Sequence, residues 1–325
     1  MQPFAFQTAR DERDALAAGA AGGRYIAGGT TLIDLMREEV ERPEWLVDIN
    51  GLPMRDIRAT ADHLIIGALA RMAEVAAHPA TAQLQPMLAE ALNEGASPQL
   101  RNMASIGGNL MQRVRCPYFR MLDAPCNKRA PGSGCAAIDG INAGHAILGT
   151  SAHCVATHPS DLAVALVALD ATLMVRGPAG ERTFPVEELY RLPGDTPHLE
   201  HSLQPGELIV ELRVPRGAFA EHARYLKVRD RSSYEFAVVS VAAALDIRDR
   251  TIWEARLAAG GVGTVPWRLR ASEAALAGQP LGVEAFRAAG QAAVQGGRPL
   301  SGNGFKVELL RRTTIRALEM AGETG

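Results

Sequence analysis

The sequence predicts a mixed helix-and-strand chain of about two domains. Three observations carry that expectation. The 325 residues, divided by roughly 150 per domain, give about two. Residues 1–50 alternate short strand-like and helix-like segments. After Pro215-Arg216-Gly217 the pattern changes to a run of strands followed by a run of helices. Boundaries are expected near residues 55 and 217.

The elements follow in order. Asp11 to Gly19 reads as a short helix ending in glycine, and Arg24 to Ala27 as a strand. The run after Gly28-Gly29 opens on a threonine N-cap and continues with helical spacing. Leu46 to Ile49 and His63 to Ala68 read as strands; Met72 to Ala77 and Pro86 to Asn93 as helices. Residues 101–160 carry many Gly and Pro residues and little periodicity, and a loop of that length is uncommon unless it has a job. Ser160-Asp161 caps an apolar helix, Leu162 to Leu169, followed by a strand at Ala171–Arg176 and a turn at 177–180. Strands are expected at 207–214, 223–228, 238–247 and 253–259, and helices near 271–277, 283–295 and 307–321.

Composition narrows the function classes. Hydrophobic residues make up 47% and charged residues 22%, ordinary values for a globular protein. The net charge of −2 rules out a long-range positive field and makes nucleic acid an unexpected partner. No apolar run reaches the roughly 20 residues that span a bilayer. The first residues place charges where a secretory signal needs an apolar core, so no signal peptide is expected.

Three glycine- or hydroxyl-bearing turns could hold a dinucleotide. The first is Ile26-Ala27-Gly28-Gly29-Thr30-Thr31-Leu32, a strand end, a glycine pair and a helix start. Such a turn suits a phosphate, because free N–H donors and the helix dipole both favour an anion. The second is Ser105-Ile106-Gly107-Gly108-Asn109, and the third Thr157-His158-Pro159-Ser160-Asp161. Any one of them is also an ordinary tight turn. The G-x-G-x-x-G fingerprint is absent.

The four cysteines, Cys116, Cys126, Cys135 and Cys154, all fall within one stretch, whereas cysteines used as core filler should scatter. Four thiolates can hold a four-iron cluster, a zinc ion or two disulfides. The close pairs of structural zinc are missing, and the chain lacks the marks of a small secreted disulfide scaffold. Arg113, Arg115, Arg120, Lys128 and Arg129 outweigh Asp123 in the same stretch, and local cations would stabilise a net-negative cluster. A cluster, a zinc ion and an irregular loop with reduced thiols and a basic docking face all remain open at this level. No acid–base pair or nucleophile motif stands out, and the eight histidines show no metal-ligand spacing.

The turns at 27–30 and 105–109 resemble the two FAD-binding loops in the flavin subunit of the xanthine dehydrogenase (molybdenum hydroxylase) family. The stretch from Lys227 through Arg231 and Glu235-Phe236 to Val241 resembles that family's flavin-contacting strand. Leu257 to Val262 with Pro266 and Arg268 is similar to the start of its C-terminal domain. Most members lack a cysteine-bearing insert, and two branches carry one. The runs Arg115-Cys116-Pro117, Pro125-Cys126-Asn127 and Pro131 to Cys135, with Cys154 leading to Asp161, resemble the bacterial periplasmic aldehyde oxidoreductase branch.

The resemblance implies an α+β chain: an FAD-binding fold of the vanillyl-alcohol-oxidase (PCMH) type over 1–217, in lobes 1–54 and 55–217 with an iron–sulfur loop at 113–155. A C-terminal domain of the CO dehydrogenase flavoprotein type would cover 218–325. Ile26, Ala27, Gly28, Gly29, Thr30, Thr31, Leu32, Ile33 and Asp34 would hold the FAD pyrophosphate and its surroundings through main-chain donors. Ser105, Gly107, Gly108 and Asn109 would form the second loop. Thr157, Ser160 and Asp161 would hold the adenosine end or the phosphates, and Lys227 would contact the flavin or its ribityl chain. Cys116, Cys126, Cys135 and Cys154 would ligate a [4Fe–4S] cluster. Phe236 stands where many relatives have isoleucine, which would narrow access to the flavin, so nicotinamide binding is not carried over.

The implied activity is electron transfer. A partner holding the molybdenum cofactor would oxidise an aldehyde to a carboxylic acid, and a [2Fe–2S] partner would pass electrons to FAD here, giving a heterotrimer. The resemblance also implies a periplasmic location, reached as the passenger of a partner with a twin-arginine signal; the alternative is the cytoplasm. Competing readings are a zinc- or cluster-stabilised non-catalytic binding module, a flavin subunit of a hydroxybenzoyl-CoA reductase-like enzyme and a free-standing flavin oxidase.

Overall fold

The computed structural model describes residues 1–217 and 219–323. Its first layer is β1 (Ala5–Thr8), α1 (Glu12–Ala20), β2 (Arg24–Ile26), α2 (Leu32–Arg37) and β3 (Trp45–Asp48). The three strands pair in parallel in the order β1-β3-β2. Asp11 starts α1 by accepting the Asp14 N–H at 2.8 Å, the bond expected of an N-cap.

The middle of the chain builds a second sheet and a helical layer. In order come β4 (Ile57–Ala59), β5 (His63–Gly67), α3 (Met72–Ala77), α4 (Pro79–Leu84), α5 (Pro86–Glu94), α6 (Pro98–Met103), α7 (Ile106–Leu110) and α8 (Pro117–Arg120). After the cysteine-bearing loop follow α9 (Asp161–Ala168), β6 (Thr172–Gly177), β7 (Gly180–Pro185) and β8 (Leu208–Pro215). The five strands form an antiparallel sheet in the order β4-β5-β8-β6-β7. α9 is buried along its whole length, as a helix apolar on every side must be. Ser160 caps it, accepting the Ala163 N–H at 3.0 Å.

The last part holds β9 (Ala223–Val228), β10 (Val239–Arg248), β11 (Thr251–Gly260), β12 (Trp267–Arg268), α10 (Arg270–Leu276), α11 (Val283–Ala293) and α12 (Phe305–Gly322). Its sheet is antiparallel, ordered β12-β11-β10-β9. Ala242, Ala243 and Ala244 on β10 are fully buried; their small side chains let α9 pack on one face and α12 on the other. One apolar cluster joins the second sheet to α5 and α9, and another joins the third sheet to α10–α12. A third, including Ala15, Val47, Leu69, Met174 and Leu208, seals the first sheet onto the second. No helix of the described residues is long and apolar enough to cross a membrane.

Candidate functional site: a nucleotide cleft beside a four-cysteine pocket

The turn between β2 and α2 meets α7 and the approach to β8 across a cleft of about 550 Å3. That size is typical of small-molecule and cofactor sites. Ile26, Ala27, Gly28, Gly29, Thr30, Thr31 and Leu32 line it, with Ser105, Gly107 and Gly108 opposite. The amides of Gly28, Gly29, Thr30, Thr31 and Leu32 have no hydrogen-bond partner among the described residues. Successive free N–H groups in a turn make a concavity suited to phosphate oxygens. Both glycines are structurally required. A Cβ at Gly28 would run into the Met103 carbonyl oxygen, and Gly29 has φ +69°, which L side chains rarely adopt.

The second turn offers something different. Ile106–Leu110 is a helical turn, and its amides are engaged inside the chain: Gly107 N–H donates to Ala68 O at 2.8 Å and Gly108 N–H to Ser105 Oγ at 3.2 Å. Gly107 and Gly108 therefore contribute close approach rather than donors. Ile33 is likewise bonded, its N–H to Gly29 O at 3.0 Å.

The remaining candidates form an adjoining group. Thr157, Ser160 and Asp161 line a small pocket with Arg115, Phe236 and Gly261. Ser160 Oγ–H donates to Asn109 Oδ1 at 2.6 Å, tying this group to the second turn. Lys227 lies behind it: Nζ donates to Asp161 Oδ2 at 2.8 Å and to Glu94 O at 2.9 Å. Tyr225 Oη–H donates to the other carboxylate oxygen of Asp161 at 2.7 Å, and burial beside that carboxylate raises the Tyr225 pKa well above its ordinary value. Arg115 bridges the two groups. Its Nη2 donates to Thr31 Oγ1 at 3.2 Å, its guanidinium sits 5.1 Å from the Phe236 ring centroid, and its Nε is buried without a partner.

The four cysteines line one pocket, with Val114, Phe119 and Lys128 around them. Cys126 and Cys154 are buried, Cys116 and Cys135 partly so, and none forms a disulfide. Cys126 and Cys135 face each other across a one-residue antiparallel bridge. Burial pushes the Cys116 thiol up to about 11 and the Cys154 thiol upward as well, so thiolates here call for a cation to balance them. Among the described residues no group of three or more His, Cys, Asp or Glu is arranged to hold a single metal ion.

The basic side chains of this loop are not a free docking face. Arg113 pairs with Glu41 and Glu200, Lys128 with Glu200, and Arg120 with Asp34 and Glu38. Arg115 stands 3.6 Å from Asp34. Arg129 donates to main-chain carbonyls at 118, 119, 122 and 124. Counting charges along the chain missed this, because the partners come from α2, the 38–41 turn and residue 200. Reading the sequence also missed His145, whose Nε2 lies 3.2 Å from Cys116 Sγ. A lone histidine at that spacing carries no signal until the loop is folded. His153 lies at the rim of the cysteine pocket, 3.4 Å from Asp195, and His158 is buried edge-on against Tyr190.

A cleft with a free-amide cradle, set on three sheets, defines the class. Residues 2–217 match the FAD binding domain in molybdopterin dehydrogenase, and residues 224–321 match the CO dehydrogenase flavoprotein C-terminal domain. The chain belongs to this family of FAD-binding flavoproteins of molybdenum hydroxylases, and it is an oxidoreductase component of the α+β architecture that the family shares. Over 253 residues it is 49% identical to the aldehyde oxidoreductase FAD-binding subunit PaoB of Escherichia coli K12, covering 77% of this chain and 78% of that one. It is 27% identical to the carbon monoxide dehydrogenase medium chain of Hydrogenophaga pseudoflava, covering 75% and 69%. A solved structure of carbon monoxide dehydrogenase from the same organism superposes with a TM-score of 0.78 at 26% identity, covering 98% of this chain and 97% of that one.

Proposed function

We propose that this chain is the FAD- and [4Fe–4S]-carrying electron-transfer subunit of a heterotrimeric molybdenum aldehyde oxidoreductase. The observation that carries the reading is the presence in one chain of a free-amide nucleotide cleft and of four cysteines around a second pocket. Similarity to the E. coli aldehyde oxidoreductase subunit supports the substrate class.

When bound, FAD supplies exchange between one-electron and two-electron carriers. The chain's residues supply placement. The Gly28–Leu32 amides would take the diphosphate oxygens. Asp161 is held by Lys227 and Tyr225, so its carboxylate is fixed before any ligand arrives. Phe236, which lines a small pocket with Arg115, would border the ring end, and Thr157 would stand with Ser160 and Asp161 at the adenosine end or the phosphates. Cys116, Cys126, Cys135 and Cys154 would hold the cluster; thiols arranged around a space rather than one ion's position suit a cube of iron and sulfide better than zinc. Partners would be a molybdenum-cofactor large subunit and a [2Fe–2S] small subunit. In this reading the assembly works in the periplasm, exported with a partner that bears a twin-arginine signal.

The test is Cys126→Ser in the purified complex. Iron and acid-labile sulfide should fall while flavin stays, because the cysteine pocket and the cleft are built from different residues. Unchanged iron would remove Cys126 from the ligand set.

A further inference from the structure

The third sheet's unit grips the cysteine loop at 138–147. Asn303, fully buried, donates through Nδ2 to the carbonyl oxygens of His145 at 3.1 Å and Ala146 at 3.3 Å. Gly302 N–H donates to Asn142 Oδ1 at 2.8 Å, and Asn142 Nδ2 donates to Ile138 O at 3.0 Å. The His145 backbone is thereby fixed, and its ring is directed at Cys116, with Nε2 3.2 Å from Sγ. The other ring nitrogen, Nδ1, is buried without a partner.

A second buried polar group belongs to the same unit. Lys306 is fully buried on α12, and its Nζ donates to Gly261 O at 2.7 Å. A cluster-bound Cys116 thiolate has no proton to give, so the short contact requires the proton on His145 Nε2.

We propose that His145 is a positioning residue for the iron–sulfur site, donating its Nε2–H to the Cys116 sulfur and thereby raising the cluster's reduction potential. The inference rests on the cluster reading above. Reduction adds one electron and no proton. Hydrogen bonds to ligand sulfurs favour the more negative, reduced form.

The test uses the purified complex, with iron and labile sulfide measured first and a dithionite titration followed by electron paramagnetic resonance second. His145→Leu should disfavour reduction about tenfold, a downward shift of ~59 mV for one electron. His145→Gln keeps an N–H donor and should recover part of that shift. An unchanged potential in a fully loaded His145→Leu complex overturns the proposal. If His145→Leu loses iron, His145→Gln decides: iron retained near the wild-type potential supports the donor role, and iron lost from both overturns it. A wild-type complex with flavin but no iron beyond that of its [2Fe–2S] partner would instead end the cluster reading itself.

Discussion

Lys227 and Asp161 form a nearly solvent-free ion pair, with side chains 1% and 8% exposed. Removing one partner strands the other charge, which costs more than the pair's net contribution. Lys227→Met should therefore lower stability by about 3–5 kcal/mol, read from the denaturation midpoint; a change within about 0.5 kcal/mol, the range of a neutral surface substitution, would show that Asp161 is not stranded. Gly28 acts through space. Gly28→Val drives a side chain into the Met103 carbonyl, so flavin occupancy should fall sharply, and normal occupancy would place the phosphate cradle elsewhere. His158 acts through pH. Burial lowers its pKa from 6.5 to about 3. Below about pH 6.5 the unfolded chain takes a proton that the native chain refuses, so stability falls as pH falls, by at most about 1.4 kcal/mol per unit. His158→Asn keeps an acceptor for the Ser160 N–H, which His158 Nδ1 accepts at 3.3 Å. That variant should flatten the loss between about pH 6 and 4; an unchanged slope would assign it to other groups, His201 and His145 among them.

At the scale of elements, the cysteine loop is held from two directions. Arg113 and Lys128 anchor it through Glu200 and Glu41, and Asn303 anchors its far end. Much of the regular structure was legible in the sequence. The cap at Ser160, the strands of the third sheet and the helix ending near Ala321 all follow from local patterning. β1 and β4 were not legible. They are short and largely exposed, with no apolar alternation to mark them, and parallel or edge pairing defines them instead. Locally α7 reads as a glycine turn because Gly107-Gly108 disfavours a helix; Ser105 capping and burial of Ile106 and Leu110 override that preference. The site divides the same way. Cysteine clustering and the glycine pairs are local signals, whereas the Asn109–Ser160 bond, the Arg115 bridge and the His145 contact each join segments 29 to 84 residues apart.

For the whole molecule, the arrangement places a nucleotide cleft at the seam of the first and second sheets and the cysteine pocket on a loop clamped by the third. Arg113 lines the cleft, and both Arg113 and Cys154 line the chamber between the two pockets, so the two proposed cofactors would be neighbours within one chain. The most direct measurement is the flavin, iron and acid-labile sulfide content of this polypeptide, isolated anaerobically from its native assembly. FAD together with a four-iron, four-sulfide complement on this chain is the expected result. Polypeptide lacking both flavin and labile sulfide would contradict it.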